Sequence, residues 1–222
     1  MNLLPEELRG KAGDHLVKLI EANHGHLGTG FLGTPYLLAA LTETGHSDLA
    51  YRLLLSTEYP SWGYLVEHGA TTMWERWNGD QKKSDPSMNS YNHYAYGAVA
   101  DWIYRYAAGI DTISSDPGFH TIYLHPNFNA ELGGVDFSYD SPYGRIHSDW
   151  KLEGRNAVWH LTIPANAVAE LPLGTEQAAR YTLEGEPLSR SRLVHQLGER
   201  DGQLTYRIPA GTYTLNKRLG PQ

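Results

Sequence analysis

Near residue 115 the spacing of apolar residues changes, and that change constrains the fold more than any single motif. Before it, apolar side chains recur at three- and four-residue intervals, the period of one helix face. After it they alternate with polar ones, the period of a half-exposed strand. Pro5 to about Ala22 carries Leu8, Ala12, Leu16, Leu19 and Ile20 in helical register, and Asn23 and Gly25 supply stop signals. A second helix is predicted from Pro35 to Thr44, with Pro35 in the first turn and Gly45 past the last. Ser47 is placed to cap a third that runs to about Ser56. A fourth carries Ala95, Val99, Trp102, Ile103 and Tyr106 and ends at Gly109. Beyond the change, FHTIYLHP, GGVDFSYDSPYGRIHSDWKLEG, NAVWHLTIPANA, ARYTLEGEPL and LTYRIPAGTYTL read as short strands, with Pro164 and Pro209 at strand ends or edges. The expected class is α+β in two parts, helices over 1–115 and an antiparallel β-sandwich over 116–222.

Two features of the helical part are unusual. The run YLLAAL is apolar on too many sides for three short partner helices to cover, so that part has lost neighbours or borrows them from another chain. Residues 58–90 form a loop-rich stretch dense in Trp and Tyr, which a floppy linker would not be. The chain holds 6 Trp and 15 Tyr against 4 Phe, a balance suited to a cleft for something apolar-faced and hydroxyl-rich, sugars foremost. A net charge of −7 gives no footprint for nucleic acid or an anionic membrane. No apolar stretch approaches the roughly 20 residues of a membrane span, and MNLLPEELRGK has no secretory pattern. The absence of Cys removes disulfides, thiolate metal sites and a cysteine nucleophile, and fits a reducing compartment; a soluble, cytoplasmic protein is expected.

Candidate chemistry gathers in the aromatic stretch. Glu75 lies between Trp74 and Trp77, where partial desolvation would suit proton transfer; a structural ion pair with Arg76 is the alternative. His93, with Asn92 and Tyr94, begins the fourth helix, either as a ligand-facing group or as a capping cluster. Asn23-His24-Gly25-His26 matches no usual metal spacing, so no metal and no cofactor are expected. Gly28-Thr29-Gly30-Phe31-Leu32-Gly33 lacks the Lys-Ser/Thr of a phosphate loop and reads as a turn feeding the second helix. His125-Pro126 and Tyr143-Gly144 read as turns, and no Gly-x-Ser-x-Gly elbow is present.

At GTGFLGTPYLLAAL, WGYLVEHGATTMWERWNG, MNSYNHYAYGAVADWIYRYAAGI and SPYGRIHSDWK the sequence resembles the C-terminal part of the bacterial α-L-rhamnosidases of glycoside hydrolase family 78, in order and over nearly its whole length. The resemblance implies the last helices of an (α/α)6 toroid followed by a C-terminal β-sandwich, and inverting hydrolysis of terminal α-L-rhamnose. It implies that Glu75 is the general base and that His93 contacts the rhamnose hydroxyls; Trp74, Trp77 and Asn92, beside them in the sequence, are taken as candidate substrate-binding side chains. Inversion needs a second carboxyl group about 6.5–9.5 Å from the base to protonate the leaving oxygen. The resemblance puts that acid upstream of the present sequence, and nothing places Glu67 or Asp80 opposite Glu75. The expected partner is a rhamnose-containing glycoside, with a homodimer covering apolar surface. The alternative is a non-catalytic carbohydrate-binding or self-associating module.

Overall fold

A computed structural model describes residues 4–81, 90–200 and 203–220. Contacts divide the chain between Trp102 and Ile103. The first unit holds α1 (Glu6–Ala22), α2 (Thr34–Glu43), α3 (Ser47–Leu55), α4 (Trp62–Glu67), a 3-10 turn (Tyr96–Ala98) and α5 (Val99–Trp102). Glu6 and Glu7 occupy the first turn of α1, where the exposed amides favour negative charge. Its end is closed by Gly25, at φ 78°, whose N–H reaches back to the Ile20 carbonyl at 2.9 Å. Pro35 sits in the first turn of α2, and Gly45 at φ 89° follows the helix. Leu37, Leu38 and Leu41 of α2 are buried, largely against α3. Trp102 donates its indole N–H to Thr42 Oγ1 at 3.0 Å and meets Tyr51 edge to face, which fastens α5 to α2 and α3.

Three expectations change in detail. Ser47 is the first residue of α3 rather than its cap; His46 precedes it and makes no side-chain cap. The stretch expected to be a loop contains α4, whose true cap is the fully buried Ser61, with Oγ accepting the Tyr64 N–H at 3.0 Å. The fourth helix is short and uneven. It opens as the 3-10 turn, is α over Val99–Trp102, and widens to a π turn over Ile103–Ala107, closed by the Ala108 N–H on the Ile103 carbonyl at 2.8 Å. Gly109 ends it as expected, at φ 73°, where a Cβ would lie 2.4 Å from the Pro126 nitrogen.

The second unit is two sheets around one core. The strands, in chain order, are β1 (Ile110–Thr112), β2 (Thr121–Leu124), β3 (Gly134–Ser141), β4 (Gly144–Glu153), β5 (Asn156–Ile163), β6 (Val168–Gly174), β7 (Tyr181–Leu183), β8 (Glu186–Pro187), β9 (His195–Arg200), β10 (Gln203–Ile208) and β11 (Gly211–Arg218). A turn of helix, α6 (Thr175–Ala178), follows β6. One sheet runs β1-β2-β6-β10-β9 and the other β3-β4-β5-β11-β7-β8. Pairing is antiparallel except between β2 and β6, where Thr121–Tyr123 lie parallel to Val168–Glu170. Pro164 and Pro209 directly follow β5 and β10, as a missing N–H requires. Pro172 stands within β6, beyond the reach of β2, which pairs only as far as Glu170.

Trp150 and Trp159 fill the core. The Trp159 indole donates to Ser148 Oγ at 2.8 Å, and that hydroxyl donates to the Ala108 carbonyl at 2.8 Å. Trp150 donates to the Ala107 carbonyl at 2.8 Å. The carbonyls freed by the π turn thus find partners inside the core. On the outer face of the five-stranded sheet, Asp111, Tyr123, Glu170, Arg207 and His195 form one transverse row, one residue per strand.

Candidate active site

The chemistry-bearing residues of the first unit lie on two segments that run side by side. The Glu75 N–H donates to the Ser90 carbonyl at 2.8 Å, and the His93 N–H donates to the Met73 carbonyl at 2.8 Å. The Thr72 hydroxyl donates to the Tyr91 carbonyl. The register brings residues 72–75 alongside 90–93, so Glu75 and His93, far apart in sequence, share one neighbourhood. Residues 82–89 between them, including Met88 and Asn89 of the MNSYNHYAYG motif, lie outside the described residues.

Glu75 is half-buried, and its Oε2 accepts the Ser90 N–H at 2.7 Å. That charge-assisted bond fixes the carboxylate, and Oε1 carries no hydrogen bond among the described residues. No ion pair joins Glu75 to Arg76 among the described residues either; both line an open cleft of about 360 Å³ together with Gly30, Phe31, Tyr59, Trp77, Asn78 and Tyr96.

The two indoles near Glu75 have different surroundings. Trp77 is 7% exposed, stacked on Tyr96 at 3.8 Å and edge to face with Trp62 at 5.3 Å, so it walls the cleft while its buried N–H has no hydrogen-bond acceptor among the described residues. Trp74 does not line the cleft. It packs on Gly79, where a Cβ would lie 2.8 Å from its ring, and meets Tyr91 at 5.8 Å. Asn92 is exposed and outside the cleft lining, with its N–H on Ser90 Oγ at 3.2 Å.

His93 adjoins the cleft through Phe31, on which it stacks at 4.9 Å. Its Nδ1 accepts the Ala95 N–H at 3.2 Å, so the neutral ring carries its proton on Nε2. Phe31 also meets Tyr96 edge to face at 5.6 Å. The glycine-rich segment is the expected turn, with the Gly30 carbonyl accepting from Gly33 and Thr34, but it also delivers Phe31 to the site. Only the presence of an aromatic residue in that turn could have signalled this. Tyr59 and Asn78 are also lining residues that sequence reasoning missed.

The other acids lie elsewhere. Asp80 accepts from the Tyr64 hydroxyl at 3.2 Å and stands 4.0 Å from His68 Nε2; desolvation first, then the bond and charge of Asp80, push the Tyr64 phenol up. Glu67 is exposed at the end of α4. Neither lines the Glu75 cleft. His26 stands 3.7 Å from Glu58, and no group of three or more His, Asp or Glu that could hold a metal occurs among the described residues.

Comparison with known proteins adds to this geometry. Residues 1–107 match the family described as the bacterial alpha-L-rhamnosidase 6 hairpin glycosidase domain, and residues 109–186 the one described as the bacterial alpha-L-rhamnosidase C-terminal domain. A curated alpha-L-rhamnosidase of Streptomyces avermitilis is 44% identical over 174 residues, 77% of this chain and 17% of that protein. One from Formosa agariphila is 34% identical over 220 residues, 98% of this chain and 24% of that protein. The solved structure of Streptomyces avermitilis alpha-L-rhamnosidase complexed with L-rhamnose is similar at a TM-score of 0.83 and 36% identity, over 98% of this chain and 20% of that one. The alpha-L-rhamnosidase structure from Dictyoglumus thermophilum is similar at 0.77 and 27% identity, over 98% and 24%. The chain thus spans roughly a fifth of the length of these relatives.

Proposed function

The chain belongs to the bacterial α-L-rhamnosidases, as the end of their six-hairpin glycosidase domain joined to their C-terminal domain, and on that premise we propose that the Glu75 cleft is the water-activating side of a site for inverting hydrolysis of terminal α-L-rhamnosides. Glu75 is the general base. Its Oε1 takes a proton from a water whose oxygen bonds to the anomeric carbon as the glycosidic C–O bond breaks, and the departing oxygen is protonated by a separate acid. The Ser90 N–H on Oε2 keeps the carboxylate oriented. His93 donates from Nε2 to a sugar hydroxyl at the cleft edge; Trp77 forms a wall, Trp74 buttresses the segment that carries Glu75, and Asn92 contributes its amide at the exposed rim. The general acid is assigned to a part of the hairpin domain not represented among the described residues.

The observation that carries this reading is a carboxylate held at one oxygen, with no hydrogen bond to the other among the described residues, in a cleft that adjoins a histidine. The test is turnover of p-nitrophenyl α-L-rhamnoside by the chain and by Glu75→Gln. Loss of a base is typically worth 10²–10⁴-fold, so the variant is expected to lose at least about a hundredfold, with the wild type releasing the inverted anomer by NMR. Turnover untouched by Glu75→Gln would sink the assignment.

A second reading is favoured by one observation: Glu75 is the sole carboxylate lining the cleft among the described residues. In it the chain binds rhamnosides without cleaving them, and self-associates through apolar surface that includes Leu8 and Leu19, 42% and 55% exposed on α1. Saturable L-rhamnose binding without turnover, beside a dimeric mass in solution, is its signature. The cysteine-free composition supports a reducing compartment, and the cytoplasm is the location proposed.

A further inference from the structure

His93 is held by two unlike contacts. Its ring stacks on Phe31 at 4.9 Å and 22°, and its Nδ1 accepts the Ala95 N–H at 3.2 Å. The stack sets the plane of the imidazole but is indifferent to a half-turn about the Cβ–Cγ bond; the Ala95 bond selects the edge that faces the backbone but lets the plane tilt. Together they aim the Nε2–H in one direction. Phe31 is itself anchored, because its edge-to-face contact at 5.6 Å is with Tyr96, a ring 5% exposed and stacked on Trp77 at 3.8 Å. The turn that carries Phe31 is closed by the Gly30 carbonyl, which accepts the Gly33 N–H at 3.2 Å and the Thr34 N–H at 3.0 Å. The buried Thr34 hydroxyl donates to the Thr29 carbonyl at 3.1 Å across the same turn. Tyr94 also stacks on His93, at 5.1 Å, but it is 86% exposed, so Phe31 is the ring that ties the imidazole to buried structure.

From this we infer that Phe31 is a positioning residue for His93: by fixing the plane of the imidazole it points the Nε2–H at the sugar hydroxyl, and it acts on the substrate through His93. The inference rests on the rhamnoside reading of the Glu75 cleft. Phe31 lines that cleft, so a direct contact with the sugar is the rival account, but one of its faces is already taken by His93 and its contact with Tyr96 holds it from the side. The two routes differ in what they require. A ring that touched the sugar would contribute with or without the imidazole, whereas a ring that sets the imidazole contributes nothing once the imidazole is gone. Without the stack His93 would still be present as a donor, but it would lose rotamer freedom at each binding event, a cost that the stack removes in advance.

The test is a double-mutant cycle on L-rhamnose affinity, measured by calorimetry with the 222-residue chain, beside imidazole nitrogen NMR spectra of the histidine-labelled protein. Phe31→Leu should weaken L-rhamnose binding roughly 3- to 10-fold, the worth of an oriented ring contact, and Phe31→Tyr, which keeps the ring, should restore most of it. Phe31→Met, of similar length but without a ring, should repeat the Leu result, which separates loss of the ring from loss of volume. His93→Gln should weaken binding by at least as much, and adding Phe31→Leu to His93→Gln should change the affinity by less than about twofold. The His93 signals, assigned by their loss in His93→Gln, should show a single neutral tautomer with the proton on Nε2, and should move toward a tautomeric average in Phe31→Leu but not in Phe31→Tyr. A Phe31→Leu loss that persists at full size in the His93→Gln background would overturn the inference. So would an unchanged affinity in Phe31→Leu or in His93→Gln, or a weakened affinity with the His93 signals unmoved; each of these leaves L-rhamnose binding by the chain standing. Failure of the wild type to bind L-rhamnose would overturn the rhamnoside reading and this inference with it. Phe31 is 40% exposed, so its replacement should leave the thermal midpoint near that of the wild type, which excludes unfolding as the cause of a weakened affinity.

Discussion

Asp111 concentrates much of the second unit's electrostatics in one carboxylate. Arg105 Nε donates to its Oδ2 at 2.8 Å, the Thr112 N–H to its Oδ1 at 2.8 Å, and His125 Nε2 stands 3.4 Å from Oδ2. Burial alone would raise its pKa, but the interactions with His125, Arg105 and Thr112 outweigh burial and hold it at about 2. The folded value lies below the ordinary 3.8, so the stabilisation is complete above that pH and is lost as the pH falls toward 2. Allowing for screening at a partly exposed group, Asp111→Asn should cost about 1–2 kcal/mol at neutral pH, and the gap to wild type should close near pH 2. Urea unfolding across that range checks both the size and the direction. At this scale the sequence singled out Glu75 and His93 by residue type and setting, and the structure brings their two segments side by side. The sequence was not legible where a contact joins distant segments. Phe31 reaches the site from a turn, and Trp74, beside Glu75 in sequence, points into packing against Gly79 instead.

Among the elements, α4 depends on its cap. Ser61 is fully buried, and its hydroxyl satisfies the Tyr64 N–H at the start of a helix of only 6 residues. Ser61→Ala should therefore destabilise the first unit by about 0.5–2 kcal/mol, read as a lower denaturant midpoint with an unchanged slope. Sequence reasoning passed over this helix because a single turn and a half has too few residues to display a period. The fourth predicted helix failed differently. The side chains of Ala95, Val99, Trp102 and Tyr106 keep helical spacing through a 3-10 turn, an α turn and a π turn, so periodicity found the segment but not its changes of pitch. The parallel pairing of β2 with β6 was hidden for a related reason: alternation of side chains reads the same whichever way the neighbouring strand runs.

At the scale of the whole molecule, the division into a helical part and a sandwich was open to view, because a change of period extends over many residues and does not depend on any one of them. The sandwich core hangs on the hydroxyl of Ser148, which links the Trp159 indole to the Ala108 carbonyl. Ser148→Ala would strand a buried donor and a buried acceptor together, a loss of about 1–3 kcal/mol that calorimetry should register as a lower melting temperature. The strand order also has a consequence in time. β11 comes after every other strand in the chain, yet it lies inside its sheet, pairing along its whole length with β5 and over Leu215–Lys217 with β7. As the polypeptide leaves the ribosome, β3, β4 and β5 can zip together while β7 and β8 wait across a gap, and the bare flank of β5 is a template for pairing with any other nascent chain. The six-stranded sheet is closed by β11, so until that strand emerges the flank of β5 has no partner within its own sheet.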